Sequence, residues 1–180
     1  YVRMKRRNCA ELGIASFDHN LPKTCSEKKL LNLIEKLNAD PRVHGILVQL
    51  PLPPQIRESK VIEAIDPRKD ADGFHPVNVG RMLAGEDCFL PCTPAGCQQL
   101  LVRSGIDPAG KHAVVLGRSN IVGKPMAAIL MQKAKGANAT VTVCHSRSRN
   151  LAKITKEADI LIAAMGVPLF VKSRMVRDGV

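Results

Sequence analysis

The apolar and polar positions from Lys111 to Pro125 (KHAVVLGRSNIVGKP) predict a strand, a tight loop and the start of a helix. Three β-forming residues run into Gly117, and Gly123 precedes a helix-compatible stretch over 126–133. Pro125 suits the first helical position, so the loop is expected to end at a helix N-terminus whose free N–H groups could bind an anion. The spacing excludes a Walker phosphate loop, because five residues separate the two glycines and proline follows the lysine. A plain sheet-to-helix turn and a dinucleotide site both remain open.

The next strand favours a phosphorylated dinucleotide. Residues 139–144 (ATVTVC) alternate as a strand does and end in His145, Ser146 and Arg147. An NAD site usually carries a carboxylate at this place, yet the next acid in the chain is Glu157. A hydroxyl and guanidinium groups would accept a 2′-phosphate, so we expect NADP rather than NAD. The alternative is a solvated basic turn.

A further buried strand is predicted over 159–164 (DILIAA). Its carboxyl end, Met165-Gly166, is expected to lie beside the nicotinamide half of a cofactor. In open α/β sheets, ligands bind at the carboxyl ends of the strands.

Two helices are predicted in the first forty residues. The first ends at Gly13 and places Tyr1 and Lys5, four residues apart, on one face. The second begins with a capping box over 24–27, carries an apolar stripe and ends before Pro41.

A strand and a polar turn follow these helices. The near-continuous apolar run over 43–50 (VHGILVQL) predicts a strand covered on both faces in a parallel sheet, with Gln49 at its carboxyl end. After a short helix over 58–65 comes a turn, 70–76 (DADGFHP), with two carboxylates and an imidazole. This turn either lines a cleft or is simply solvated.

The pattern breaks between residues 81 and 91, where we place a domain boundary. Beyond it, Thr93 as N-cap and Pro94 at the first helical position predict a helix that ends near Gly105.

Composition indicates a globular protein whose positive charge can be explained by an anionic small-molecule substrate or cofactor. The chain has 180 residues, 45% of them hydrophobic, and no apolar run approaches the length of a membrane span. The net charge is +11, but the basic residues are scattered, and one Tyr, four Phe and no Trp offer few platforms for base stacking. A basic nucleotide- or nucleic-acid-binding module is the non-enzyme alternative.

Six cysteines without a signal peptide predict reduced thiols in a reducing compartment. The set Cys88, Cys92, Cys97 and His112 raises zinc as an alternative, although it lacks paired CxxC spacings, and we expect no metal. The chain begins at Tyr1 rather than Met and stops where an apolar segment begins, so we expect a fragment whose targeting signal, if any, lies upstream.

Six motifs in one order carry a family resemblance: YVRMK, VQLPLP, DADGF, PCTPAG, GRSNIVGKP and CHSRS. In these the chain resembles the methylenetetrahydrofolate dehydrogenase/methenyltetrahydrofolate cyclohydrolase family. The resemblance implies an α/β fold of two domains: a three-layer α/β substrate domain over 1–90 and a Rossmann-like dinucleotide-binding domain with a parallel sheet over 91–180. Members are longer at both ends, so each domain is expected to lack its outer part.

The resemblance also implies partners and site residues. Folate would lie between the domains and NADP on the second, in a cytoplasmic homodimer that binds neither nucleic acid nor a membrane. Lys5 would be the catalytic lysine, Gln49 its hydrogen-bonding partner, Tyr1 the ring packed on the aminobenzoate and Asp72 the carboxylate holding the pterin. Val48 and Leu50 would complete the substrate side. The cofactor side would comprise Gly117, Arg118, Ser119, Ile121, Gly123, His145, Ser146, Arg147 and Gly166.

The implied chemistry suits these residue types. Removing a hydride from a carbon between two nitrogens needs positioning rather than a strong base. Hydrolysis of the resulting amidinium needs proton transfer, which a lysine can perform only if its pKa is lowered toward neutrality. A Tyr-x-x-x-Lys pair also serves short-chain dehydrogenases, but there it follows the nucleotide loop, whereas here it precedes that loop by more than a hundred residues.

Overall fold

Helices and a small parallel sheet make up the fold. The computed structural model describes residues 2–180. Its helices are α1 (Val2–Glu11), α2 (Glu27–Ala39), α3 (Glu58–Ala64), α4 (Pro76–Ala84), α5 (Cys92–Arg103), α6 (Gly123–Leu130) and α7 (Leu151–Lys156). Its strands are β1 (His112–Leu116), β2 (Thr140–Cys144) and β3 (Ile160–Ala163), and a 3-10 turn covers Ser173–Met175. No helix among these residues has the length and apolar composition that crossing a bilayer requires.

The three strands form one parallel sheet in the order β2-β1-β3. The central strand β1 buries both faces, because successive side chains point to opposite sides. Ala113 and Val115 pack with Met126 and Leu130 of α6 on one side. Val114 and Leu116 pack on the other side with a cluster that includes Cys144. These strands confirm the α/β class and the three strands predicted in this half.

A second apolar core lies in the first half of the chain. It joins the inner faces of α2 and α3 to the segment between them through Leu30, Ile34, Val43, Ile46, Ile56, Val61 and Ile65. Glu27 at the start of α2 accepts hydrogen bonds from the Arg57 backbone N–H (2.8 Å) and from its Nη2 (2.5 Å). These bonds to Arg57 lower the pKa of Glu27 to about 2.

The prediction of a strand over 43–50 is wrong, because this segment is not paired along its length. In the described chain it makes an isolated parallel bridge, in which Ile46 N–H donates to the Lys69 carbonyl (2.6 Å) and the Ile46 carbonyl accepts from Ala71 N–H (3.2 Å). Ile46 is buried and Val48 partly buried, whereas Leu47, which would point to the opposite face of a strand, is 42% exposed, so over 46–48 one face is covered rather than two. A strand needs a partner along its length, and this segment is paired only at one residue.

Three helix starts differ from their predictions by two residues. Ser26, not Thr24, caps α2, because its hydroxyl accepts the Lys29 N–H (3.3 Å), and Glu27 pairs instead with Arg57. Helix α5 begins at Cys92, with Pro91 before it, instead of at Pro94 after a Thr93 cap. Helix α6 begins at Gly123, so that Pro125 is its third residue. Proline is tolerated there because the N–H groups of a first turn have no partner within the helix.

Helix α4 was not predicted from the sequence pattern. In the structure it packs against the second half of the chain. Met82 of α4 packs with Ala128 and Ile129 of α6, and Gln132 Nε2 donates to the Met82 carbonyl (2.5 Å). The sequence does carry its start and stop signals, Pro76 at the first position and Gly85 in the left-handed conformation after it. The domain boundary near residue 90 stays a prediction.

Candidate functional site

The three strands end at one edge of the sheet, where open α/β sheets bind ligands. Gly117 N–H donates to the Cys144 carbonyl (2.8 Å), and Ala164 N–H donates to the Leu116 carbonyl (2.8 Å). The loop after β1 is therefore joined to the ends of both neighbouring strands. Gly117, His145 and Gly166, which the sequence predicts as cofactor residues, lie in the segments that leave this edge.

Two predicted glycines allow this loop to pack on itself. Gly117 has φ +120°, and a Cβ there would collide with the Ala164 carbonyl. A Cβ on Gly123 would collide with the Gly117 carbonyl and would lie 2.8 Å from the Arg118 nitrogen. Only glycine permits so close an approach of backbone to backbone.

The expectation that the first N–H groups of α6 are free is wrong, because these groups already have acceptors. The Ser119 hydroxyl accepts from Val122 N–H (3.1 Å) and Gly123 N–H (3.3 Å). The Ser119 carbonyl accepts from Lys124 N–H (3.1 Å), and Met126 N–H donates to the Val122 carbonyl (2.8 Å). Pro125 has no N–H. Donors toward a ligand would therefore come from the exposed loop before α6, where the Ser119 O–H is one donor.

The turn after β2 is held by its own hydrogen bonds. His145 N–H donates to the Ser148 hydroxyl (2.9 Å), and Ser148 N–H donates to the His145 carbonyl (2.8 Å). Arg147 N–H donates to His145 Nδ1 (3.1 Å), which assigns the proton of the neutral ring to Nε2. Ser146 and Arg147 are left exposed. Ser148 is a residue of this turn that the sequence analysis did not select.

A second candidate site lies in the first half, where Asp72 is in electrostatic reach of Lys5. Asp72 is partly buried and lines a pocket with Val48, Leu50 and Phe74, among other residues. Burial raises the pKa of the Asp72 carboxyl, Lys5 acts to lower it, and Asp70 acts to raise it. The fold thus brings together an amine and a carboxyl group that are far apart in the sequence.

Three other predicted site residues are Gln49, Ile121 and Tyr1. Gln49 is exposed, and its Nε2 donates to the carbonyl of Leu50 (3.0 Å), next to the cis Leu50–Pro51 bond. Ile121 of the nucleotide loop is also exposed. Tyr1, expected on the Lys5 face of α1, lies outside the described residues.

The turn that carries Asp72 rests on buried polar residues that sequence reasoning did not select. Asp70 and Asn78 are each 2% exposed. Asp70 Oδ2 accepts from His75 N–H (2.8 Å) and from Asn78 Nδ2 (2.9 Å). The signal in the sequence that could have indicated Asp70 was an acid two residues before Asp72, in a turn that begins a helix. The contact with Asn78 could not be predicted in this way, because it depends on α4.

The zinc alternative finds no support among residues 2–180, where no group of three or more His, Cys, Asp or Glu side chains is placed to hold a metal. Cys88, Cys92 and Cys97 are free thiols. Both ring nitrogens of His112 are already engaged, Nδ1 with the Glu157 carbonyl (3.1 Å) and Nε2 with the Thr142 hydroxyl (2.8 Å).

Together these features define an α/β protein with a glycine-rich loop at the edge of a parallel sheet and a separate pocket lined by Asp72, whose carboxyl group is within electrostatic reach of Lys5. Sequence profiles identify the family. The tetrahydrofolate dehydrogenase/cyclohydrolase catalytic domain matches residues 1–72, and the tetrahydrofolate dehydrogenase/cyclohydrolase NAD(P)-binding domain matches residues 91–180. The chain belongs to the tetrahydrofolate dehydrogenase/cyclohydrolase family, as its motifs indicated.

Known proteins agree with this assignment. The bifunctional protein FolD of Dehalococcoides mccartyi strain BAV1 is 63% identical over 179 residues, which are 99% of this chain and 60% of that protein. The crystal structure of the bifunctional FolD methylenetetrahydrofolate dehydrogenase/cyclohydrolase from Campylobacter jejuni has a TM-score of 0.93 at 47% identity, covering 98% of this chain and 62% of that one. The Trypanosoma brucei enzyme, complexed with NADP cofactor and an inhibitor, has a TM-score of 0.90 at 38% identity, covering 98% and 60%. The chain thus spans about three fifths of the length of these relatives.

We expect Gly73→Ala to destabilise the protein by at least about 2 kcal/mol, since the residue combines a left-handed backbone with a close backbone contact. Gly73 has φ +67°, and a Cβ there would lie 2.6 Å from the Phe89 carbonyl oxygen. The matched control is Gly80→Ala in α4, where a Cβ meets nothing within 4 Å. That change should be neutral or stabilise the helix by about 0.5–1 kcal/mol. Urea unfolding of both variants checks this, and equal stabilities would contradict it.

Proposed function

We propose that this protein oxidises 5,10-methylenetetrahydrofolate to 5,10-methenyltetrahydrofolate with NADP and hydrolyses the product to 10-formyltetrahydrofolate. The observation that carries the proposal is the placement of Asp72, in a pocket, within electrostatic reach of Lys5. Family membership supports it, as do the activities and the NADP complex of the similar proteins. Residues 1–90 supply the folate side in this proposal and residues 91–180 the nucleotide side.

The edge of the sheet fits NADP. The loop Gly117, Arg118, Ser119, Ile121 and Gly123 would take the pyrophosphate side, with the Ser119 O–H and Arg118 as donors, since the first N–H groups of α6 are occupied. His145, Ser146 and Arg147 would face the 2′-phosphate, because no carboxylate stands there to repel it. Gly166 would lie at the nicotinamide end. When bound, NADP supplies the hydride acceptor.

For the oxidation, the task of the protein is to position the folate. The two nitrogens that flank the reacting carbon stabilise the cation formed, so no strong base is required of the chain. Asp72 would hold the pterin, Val48 and Leu50 would line its pocket, and Tyr1 would pack against the aminobenzoate ring. Burial raises the pKa of Asp72, because it disfavours the ionised carboxylate. Hydrogen bonds to the pterin would replace those that the carboxyl group loses to water.

For the hydrolysis, Lys5 would move the protons. Water forms a bond to the methenyl carbon and loses a proton to the lysine amine. The bond between that carbon and one ring nitrogen then breaks, and that nitrogen takes the proton back from the lysine ammonium as the ring opens. The added hydroxyl releases its proton to solvent as the formyl C=O forms, so one proton is released overall. Gln49, at the end of the 43–50 segment, would orient the amine without neutralising it, because an amide carries no charge.

We expect Lys5→Met to lower the rate of methenyltetrahydrofolate hydrolysis at least about 100-fold, the usual range for losing a general acid–base. Part of the dehydrogenase activity should remain, because positioning alone drives that step. Both rates are measured on the intact protein from the absorbance of methenyltetrahydrofolate and of NADPH. Lys28→Met, an exposed lysine on α2, is the control and should leave both rates unchanged. Undiminished hydrolysis in the Lys5 variant would refute the assignment.

We expect Arg147→Ala to raise the KM for NADP about 10-fold or more and to leave the KM for NAD unchanged, since a guanidinium–phosphate bond serves only the phosphorylated cofactor. Arg103→Ala, an exposed arginine at the end of α5, is the control. A wild-type preference for NAD would overturn the cofactor proposal. An equal change in both KM values would overturn the role of Arg147 alone.

The protein is further proposed to be a cytoplasmic homodimer, following its family resemblance. The free thiols of all six cysteines suit a reducing compartment. Sedimentation equilibrium of the intact protein should give twice the chain mass, and a single-chain mass across the working concentration range would contradict the dimer.

A further inference from the structure

A buried carboxylate lies behind the turn that carries Asp72. Asp70 is 2% exposed. Its backbone belongs to the parallel bridge with Ile46, since Ile46 bonds the residues on either side of it, at Lys69 O (2.6 Å) and Ala71 N (3.2 Å). A carboxylate buried this deeply is expensive unless its hydrogen bonds are made, so its partners indicate what it is for.

Those partners tie the two ends of the turn together. Asp70 Oδ2 accepts from His75 N–H (2.8 Å), the residue at which α4 begins. The same oxygen accepts from Asn78 Nδ2 (2.9 Å), whose second hydrogen goes to the Pro67 carbonyl (2.9 Å). The chain that enters the turn at Pro67 is thereby bound to the helix that leaves it.

The enclosed residues have little freedom left. Gly73 packs under the backbone of residues 89–91, with no room for a side chain. Asp72 lies between the Ile46 bridge on one side and this contact on the other. The bonds of Asp70 therefore restrain the turn from which Asp72 projects.

We infer that Asp70 is a positioning residue, which with Asn78 holds Asp72 toward Lys5. The inference rests on the proposed function, since it assigns Asp72 and Lys5 to the reaction. The negative charge of Asp70 has a separate effect, because it adds to burial in raising the pKa of Asp72.

The geometry allows the effect of the Asp70 hydrogen bonds to be tested separately from the effect of its charge. Both bonds converge on one oxygen of Asp70. Asparagine at this position can place its carbonyl oxygen there and keep both bonds while losing the charge. Alanine loses both bonds and leaves the His75 N–H and one Nδ2 hydrogen of Asn78 without their acceptor.

The test compares Asp70→Asn, Asp70→Ala and Asn78→Ala in the intact protein, with Asp87→Asn, an exposed acid, as control. The measurements are kcat/KM for methenyltetrahydrofolate hydrolysis, the Kd for NADP and the amide hydrogen exchange of residues 71–75. We expect kcat/KM to fall about 30-fold in Asp70→Ala and about 10-fold in Asn78→Ala, and to stay within about 3-fold in Asp70→Asn. Exchange over 71–75 should rise in the first two only, and the Kd for NADP should not change.

Several results would overturn the inference. Full activity of Asp70→Ala would do so, and so would equal damage in Asp70→Asn, because the charge and not the hydrogen bonds would then matter. A weakened Kd for NADP in every variant would indicate general unfolding rather than positioning. If Asp70→Ala does not fold, Asn78→Ala and Asp70→Asn carry the comparison. A wild-type protein without hydrolysis would refute the proposed function, whereas the exchange of residues 71–75 would still test how Asp70 holds the turn.

Discussion

Close packing of backbone against backbone at three glycines holds both candidate sites in shape. Gly73 lies under the segment that leads into α5, Gly117 lies against the end of β3, and Gly123 lies against Gly117 itself. At each of them a methyl group would overlap a carbonyl group of another segment. The turn that carries Asp72 and the nucleotide loop therefore rest on the same constraint, although they belong to different halves of the chain.

Both loops of the nucleotide side are held by hydrogen bonds of their own. In the loop after β1, the first N–H groups of α6 are taken by Ser119 and by backbone carbonyls. In the turn after β2, the Ser148 hydroxyl and the His145 ring take the local N–H groups. A rigid frame of this kind loses little conformational entropy when a ligand binds, because its loops are already ordered.

Local pattern predicted the three strands of the second half well, although it did not predict α7. The apolar runs over 112–116, 140–144 and 160–163 are strands because each is short, β-branched and followed by a turn residue. The same reasoning failed at 43–50, which is equally apolar but is paired only at Ile46. The start of α2 shifted by two residues because Glu27, expected in a capping box, instead accepts hydrogen bonds from Arg57.

The sequence by itself determined the class of fold, the family and the residue types at both sites, because periodicity, turn glycines and motif order act over a few neighbouring residues. Tertiary structure alone decided which of these residues meet. The approach of Lys5 to Asp72 and the bond between Asp70 and Asn78 depend on how helices pack. Whether the α6 N–H groups were free depended on a side chain outside the helix. Such contacts leave no periodic trace in the chain, since their energy arises only when distant segments are buried against each other.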